Sequence, residues 1–342
     1  MKRLAKGLLR NFVDEDKNSH CSRNCAVSRD TAATAKARRR SVKLALQILL
    51  SAALVAWLFL RVDKSALLAA MRGIDAKILS LCAALLIPNF LLRALRWKLL
   101  FDSPAGKIPL TGSLKLLFAG LGLNLFLPAG SGDVLKAYLG YRWTGVKERM
   151  LSVSLADKLI ALASVSLLGL FACAGGGDKR LAAASILAAL PLVVMFALAR
   201  LGSVPRFIEK RLENRFDLAI FSEHIRSHKN LLPLAAGLSV CGWLVTYFQL
   251  FLCFRMADAD VRLVSVLAAA PLLTIARLFP FALNGLGTDE TVIAFLFGSA
   301  GATNEQALIA ALLYRLILII IPGLAGLCVI NLTKRIRSEA SE

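Results

Sequence analysis

The stretch Asn124-Leu-Phe-Leu-Pro128-Ala-Gly130-Ser131-Gly132-Asp133 decides how this chain folds, together with its counterpart Pro280-Phe-Ala-Leu-Asn284-Gly285-Leu-Gly287-Thr288-Asp289-Glu290. Each interrupts otherwise apolar, membrane-type sequence with proline, glycine and a carboxylate. A lipid bilayer offers no water to backbone N–H and C=O groups freed by such a break. Broken helices persist there only where protein buries them or where they line a cavity. A matched pair of breaks, one per half, marks the substrate site of a transporter built from two repeats.

The sequence around these breaks is that of an all-α polytopic membrane protein. The chain has 342 residues, of which 57% are hydrophobic, and a formal charge of +20. Hydrophobic runs of spanning length recur from Val42 to Ile330 and leave no room for a large soluble catalytic domain. The basic excess sits in the N-terminal tail and in alternate loops, a pattern of topology and anionic-lipid contact, so nucleic acid is not an expected partner. Residues 1–41 read as a basic, partly disordered cytoplasmic tail whose first helix-like stretch, Met1 to Val13, suits a membrane surface. Residues 42–332 form one transmembrane domain, and 333–342 a short cytoplasmic tail.

Six full spans are expected: 42–60, 78–92, 150–171, 181–201, 231–254 and 306–330. Two interrupted pairs, 111–127 with 134–143 and 263–283 with 291–298, read as re-entrant hairpins; neither arm of the first spans a bilayer comfortably. Full crossing by each interrupted segment is the alternative. Repeat A (about 78–172) and repeat B (about 231–331) then run in opposite senses, and positive-inside counting places both termini in the cytoplasm. Spacing supports the match. Asp133 and Lys158 are 25 positions apart, as are Glu290 and Arg315, so each half pairs an acid at its break with a cation in the following span.

These residues supply the candidate site. Asp133 and Glu290 face a cavity, bind a cation or carry a proton, because ionisable groups at membrane depth are functional by default; the competing role is capping of the half-helix that follows each glycine. Arg93, Arg96, Lys136, Lys158, Arg277 and Arg315 are candidate head-group binders, since phosphate needs fixed cations and backbone N–H groups. Interfacial snorkelling competes for Arg93 and Arg96, and internal ion pairs, with Asp157 or Glu290, for Lys158 and Arg315. Asn124 and Asn284 suit bonding to freed backbone, and Tyr314 either bonds at the site or packs. Pro128, Gly130, Gly132, Pro280, Gly285 and Gly287 form the breaks; the glycines either admit a ligand to the backbone or let helices pack closely.

Other chemistry is poorly supported. Seven cysteines show no CxxC and no zinc spacing; Cys82, Cys173, Cys241, Cys253 and Cys328 read as small core hydrophobes, Cys21 and Cys25 as reduced tail thiols. His224 and His228 read as a solvated helix face rather than a metal pair. Asp258-Ala-Asp260 has the form of a glycosyltransferase DxD but reads as a surface turn. No P-loop or Ser/His/Asp set appears. Neither cofactor nor metal is expected.

Gly132-Asp133-Val-Leu-Lys136-Ala-Tyr138, the Pro280–Glu290 element, Leu313-Tyr314-Arg315 with Pro322-Gly323, and Leu92-Arg93-Ala-Leu-Arg96-Trp97 stand in the order of motifs in a known family. The chain resembles the lysylphosphatidylglycerol synthase transmembrane region, or flippase-like, family over about Lys43 to Leu332. Lys136 replaces the usual Arg, Asp289 stands where a basic residue is common, and an aminoacyl-transfer domain is not expected. The resemblance implies a stand-alone lipid flippase in the inner membrane of a bacterial or archaeal cell. Its expected cargo is an anionic lipid or a polyprenyl-phosphate-linked intermediate. The implied partners are a membrane lipid, of phospholipid, polyprenyl-phosphate or hopanoid type, and a lipid-modifying enzyme. The rivals are a membrane-embedded lipid or glycosyl transferase using Asp133 and Glu290, and a non-transporting protein that presents lipid to a synthase. Nothing in the sequence sets an oligomeric state.

Overall fold

The computed structural model describes residues 74–102, 107–125, 131–144, 147–176, 186–187, 189, 218–278, 287–298 and 301–329. These are helical throughout, with no strand among them, as the apolar runs require. The helices are α1 (Ala76–Ala84), α2 (Leu86–Phe101), α3 (Leu110–Asn124), α4 (Ser131–Thr144), α5 (Lys147–Ala174), α6 (Leu218–Ser227), α7 (Leu232–Met256), α8 (Leu263–Leu278), α9 (Thr288–Phe297) and α10 (Asn304–Arg315). From Arg315 the last helix runs through a π turn, Leu316–Ile320, and on to Val329.

Four stretches among the described residues are long and apolar enough to cross a membrane: Ala76–Phe101, Met150–Ala174, Leu232–Met256 and Asn304–Val329. They coincide with four of the expected spans. The spans expected at 42–60 and, save for three residues, 181–201 lie outside the described residues, as do both tails, Cys21 and Cys25. The arms beside the two breaks, α3, α4, α8 and α9, are about 15 to 24 Å long at 1.5 Å per residue, against roughly 30 Å of hydrocarbon.

Local chemistry sets the ends and bends. Asp75 caps α1 by accepting the Lys77 N–H at 2.7 Å. Pro88 has no N–H to give to Ala84, and the helix is interrupted at Leu85 between α1 and α2. Thr303 and Gln306 form a reciprocal capping box at the start of α10. Pro322 likewise gives nothing to Leu318, and the π turn that follows Arg315 lies immediately before it.

Two cores form. One joins α7, α8, α9 and α10 with Cys82 of α1, around Tyr247, Phe254, Leu273, Ile293 and Phe297. The other joins α2, α4, α5 and α6 around Trp97, Phe101, Met150, Ile160, Phe221 and Ile225. Polar bonds between helices tie the two together. Asn89 donates to Thr246 (3.0 Å) and Gln249 (2.8 Å), Gln249 donates to the Cys82 carbonyl (2.8 Å), and Trp243 donates to the Ala161 carbonyl (2.9 Å). Large apolar side chains such as Ile87, Phe171 and Phe295 point outward, as a lipid-facing surface requires.

Glycine decides how α3 packs. A Cβ on Gly326 would stand 1.9 Å from the Phe118 carbonyl oxygen, and one on Gly122 would stand 2.8 Å from Gly326. On the other side of α3, a Cβ on Gly132 would stand 2.2 Å from the Gly120 carbonyl oxygen. Backbone meets backbone at both contacts, the close approach that small residues permit between membrane helices.

Two expectations need correction. His224 and His228 are buried on α6 rather than solvated, with ring centroids 4.3 Å apart. His228 lies between the carbonyl oxygens of His224 and Asp102, 2.9 Å from each, because α6 packs its Phe221–Ile225 face onto α5. Cys241 and Cys328 are exposed on outward helix faces, whereas Cys82, Cys173 and Cys253 are buried. Asp258 and Asp260 do form a surface turn, with Asp258 at φ +55° and Asp260 3.4 Å from Arg255.

Candidate functional site

A cavity of about 250 Å³ lies where the arms beside the two breaks approach α2, α5, α7 and α10. Helix α2 presents Asn89, Arg93, Arg96 and Trp97 to it. Their spacing, i, i+4, i+7 and i+8, puts all four on one helical face. This corrects the interfacial reading of Arg93 and Arg96: both line the cavity, and Arg96 is buried.

On one side the charges alternate along a chain. Lys158 pairs with Asp133 at 2.7 Å, and Asp133 pairs with Lys136 at 2.8 Å. Lys136 reaches Asp157 at 3.8 Å, and Asp157 holds Arg96 at 2.7 Å. Arg96 also donates to Ser239 at 2.6 Å. The partner of Lys158 is therefore Asp133 and not its neighbour Asp157. Successive residues point about 100° apart on a helix, so Asp157 and Lys158 serve different contacts.

On the other side Arg277 donates to Asp289 at 3.0 Å and to the Tyr314 hydroxyl at 3.1 Å, with its guanidinium 5.1 Å from the Tyr314 ring centroid. Arg315 closes on both oxygens of Glu290, the Nη2 contact being 3.0 Å, and lies 3.6 Å from Asp289. Glu290 also accepts the Gly287 N–H at 2.8 Å, so it caps its own helix while holding Arg315. Gly287 takes φ +84°, a left-handed conformation that suits glycine.

The candidates thus separate by position. Arg93, Arg96, Asn124, Asp133, Lys136, Lys158, Arg277 and Tyr314 line the cavity; Glu290 and Arg315 are buried behind Asp289. Asn124 takes the backbone role foreseen for it: its carbonyl accepts the Gly132 N–H across the break at 2.7 Å. Gly132 itself serves helix approach, as its contact with Gly120 shows. Pro128, Gly130, Pro280, Asn284 and Gly285 lie outside the described residues.

The structure adds residues that the motifs did not single out. Asp289 joins Arg277 to Arg315 and faces the cavity. Asn89, Trp97 and Ser113 also line it. Asn89 Oδ1, Trp97 Nε1, Ser113 Oγ and Asp289 Oδ2 make no hydrogen bond among the described residues although all are buried. Buried polar atoms are nearly always bonded, so four such atoms around one cavity are bonding capacity available to a guest. A polar residue at membrane depth was the available signal for Asn89 and Ser113.

Among the described residues the cluster holds six cations (Arg93, Arg96, Lys136, Lys158, Arg277, Arg315) against four carboxylates (Asp133, Asp157, Asp289, Glu290). Arg93 makes no ion pair among the described residues; its guanidinium stands 5.7 Å from the Phe90 ring centroid. Among the same residues no group of three or more His, Cys, Asp or Glu side chains is placed to hold a metal.

A comparison with curated proteins finds no match. The family model described as lysylphosphatidylglycerol synthase TM region matches residues 44–326, which include every described element of the cavity. Four membrane-length helices, two breaks beside a charged cavity and a match over most of the chain lead to one conclusion: this multi-pass membrane protein belongs to the lysylphosphatidylglycerol synthase transmembrane-region family.

Proposed function

We propose that the chain is a flippase that moves an anionic lipid, phosphate-bearing or polyprenyl-phosphate-linked, across the inner membrane. The observation that carries this reading is the excess of two cations in a recessed cavity. A fixed net positive charge at membrane depth is costly unless an anion offsets it. A phosphate head would do so; the Trp97 N–H and the Ser113 hydroxyl would donate to its oxygens, while Asn89 Oδ1 and Asp289 Oδ2 would accept from hydroxyls of the head group. The lipid's chains would stay in the hydrocarbon while its head crosses through the polar site. The desolvation penalty that otherwise blocks the crossing is then replaced by paired contacts.

In this reading α3 with α4, and α8 with α9, are re-entrant hairpins of two inverted repeats, with both termini cytoplasmic. The ion pairs Asp133–Lys158 and Glu290–Arg315, placed alike in the two halves, support the repeat. A transferase using Asp133 and Glu290 is less favoured. Each carboxylate is already engaged in ion pairs, Asp133 with Lys136 and Lys158 and Glu290 with Arg315, which suits charge balance better than acid and base chemistry. Purified protein in vesicles is the test. Head-group translocation without covalent change to a phosphate-bearing lipid is expected. A modified lipid would establish the transferase, and binding without translocation would establish a lipid-presenting partner.

A further inference from the structure

We infer that an apolar groove beside the cavity seats a hydrocarbon chain of the same lipid whose head group the cavity receives; this rests on the transport reading above. The groove measures about 340 Å³. It is walled by Ile87 and Leu91 of α2, Leu114 and Phe118 of α3, and Pro322 and Ala325 of the last helix, and every described residue that lines it is apolar.

Continuity with the cavity identifies the occupant. The same three helices build both spaces. On α2, Asn89, Arg93 and Arg96 face the cavity while Ile87 and Leu91 face the groove. On α3, Ser113 and Leu117 face the cavity while Leu114 and Phe118 face the groove. One residue, Phe90, lines both spaces. Its ring stands 5.2 Å from that of Phe118 and 5.7 Å from the Arg93 guanidinium, whose charge has no carboxylate partner among the described residues.

Polarity therefore changes sign across a single side chain. Past Phe90 on one side is a cation free to meet a phosphate, and on the other a trough without polar groups. A molecule matching both carries an anionic head and a hydrocarbon chain in one amphiphile, as a phospholipid or a polyprenyl phosphate does. A general lipid-facing surface would need neither the aromatic junction nor the adjoining cation.

The experiment uses two probes with one head: lysophosphatidic acid, which has a single chain, and glycerol phosphate, which has none. Binding to the full chain in phosphatidylcholine nanodiscs is measured against empty nanodiscs. Two substitutions fill the groove from exposed positions, Ala325→Trp and Ile87→Trp; Leu324→Trp is the control, exposed on the same helix but outside the groove. Each filling variant should weaken lysophosphatidic acid binding by about tenfold, because the indole takes the room the chain would occupy. Glycerol phosphate binding should hold in all variants, and Leu324→Trp should change neither probe. Unchanged lysophosphatidic acid binding in both filling variants would overturn the groove and leave the cavity reading standing, as would equal loss in Leu324→Trp. Binding of neither probe to the unsubstituted protein would overturn the anionic-head reading and the groove with it.

Discussion

Arg315 clasps Glu290 with Nε on one carboxylate oxygen and Nη2 on the other, a two-point contact between side chains 25 positions apart. Asp133 and Lys158, with the same separation, meet at 2.7 Å in the other half. The two pairs are alike in sequence spacing and unlike in surroundings. The side chains of Arg315 and Glu290 are 8% and 2% exposed, whereas that of Lys158 is 45% exposed. The same device is therefore a sealed fastener in one half and a cavity-side contact in the other.

That difference predicts opposite phenotypes for the two carboxylates. Asp133→Asn should leave folded protein in the membrane, because Lys136 keeps Asp157 nearby and Lys158 reaches solvent. It should nonetheless change transport, since it raises the cavity's positive excess by one charge. Glu290→Gln should lower stability by about 3–5 kcal/mol, the cost of stranding one member of a buried pair. Asp289, 3.6 Å from Arg315, should reduce that cost. Thermal melting of the purified variants beside transport in vesicles checks both; a stable, fully active Glu290→Gln would make the clasp dispensable.

Glycine packing gives a stability prediction independent of charge. Gly326→Leu and Gly122→Leu should both destabilise, because each drives a side chain into backbone of the facing helix. The cost should be about 1–3 kcal/mol or more. Gly237→Ala should be silent on packing grounds, since nothing lies within 4 Å of its Cβ position. A wild-type melting temperature for Gly326→Leu would refute the contact.

Asn89 tests the seam between the two cores. Its amide donates to Thr246 and Gln249, and its own Oδ1 is unbonded beside the cavity. Asn89→Leu should cost about 1–3 kcal/mol, because the Gln249 carbonyl loses its donor in a buried place. The same variant should weaken binding of a polar head. Loss of binding with no loss of stability would make Asn89 a ligand contact alone.

Much of this was legible in the sequence, and the reasons are physical. Spans were readable because a bilayer admits little except apolar helix, so α5, α7 and α10 begin within three residues of the expected starts. The break pairs were readable because proline and glycine are rare reasons for one segment to stop twice. Side-chain direction was less accessible. Arg96 and Trp97 look interfacial in a linear reading, and only their phase with Asn89 and Arg93 turns them inward. Asp289 stands where a basic residue is common in the family, yet it links Arg277 to Arg315. That contact depends on how α8 and α9 meet, which no local pattern encodes. His224 and His228 misled because a charged stretch hid the apolar face of α6.

Inverted topology predicts a labelling pattern. Single cysteines replacing Ser131 and Leu286 should react with an impermeant thiol reagent from opposite sides of oriented vesicles, since the two breaks would open to opposite faces. Background thiols, including exposed Cys241 and Cys328, must be removed first. Reaction of both from one side would end the inverted-repeat reading and leave the ion pairs as a coincidence of spacing.

The final prediction separates binding cations from fastening ones. Arg93 lines the cavity without an ion pair among the described residues, whereas Arg315 is committed to Glu290 behind it. Arg93→Gln should therefore weaken binding of a phosphate-headed lipid with little loss of stability, because no carboxylate is stranded. Arg315→Gln should do the reverse, losing stability first and binding only through displacement of Asp289. Arg315→Lys should fall between, keeping charge but losing the planar fork that contacts both Glu290 oxygens. Salt should weaken phosphate-lipid binding, though less than at an exposed patch, because recessed charges are poorly screened. The decisive comparison is one lipid with a phosphate head against the same chains with a neutral head, in wild type and in Arg93→Gln. Preference for phosphate should shrink in the variant; equal affinities in wild type would mean that the cations serve structure alone and that the cargo is not an anion.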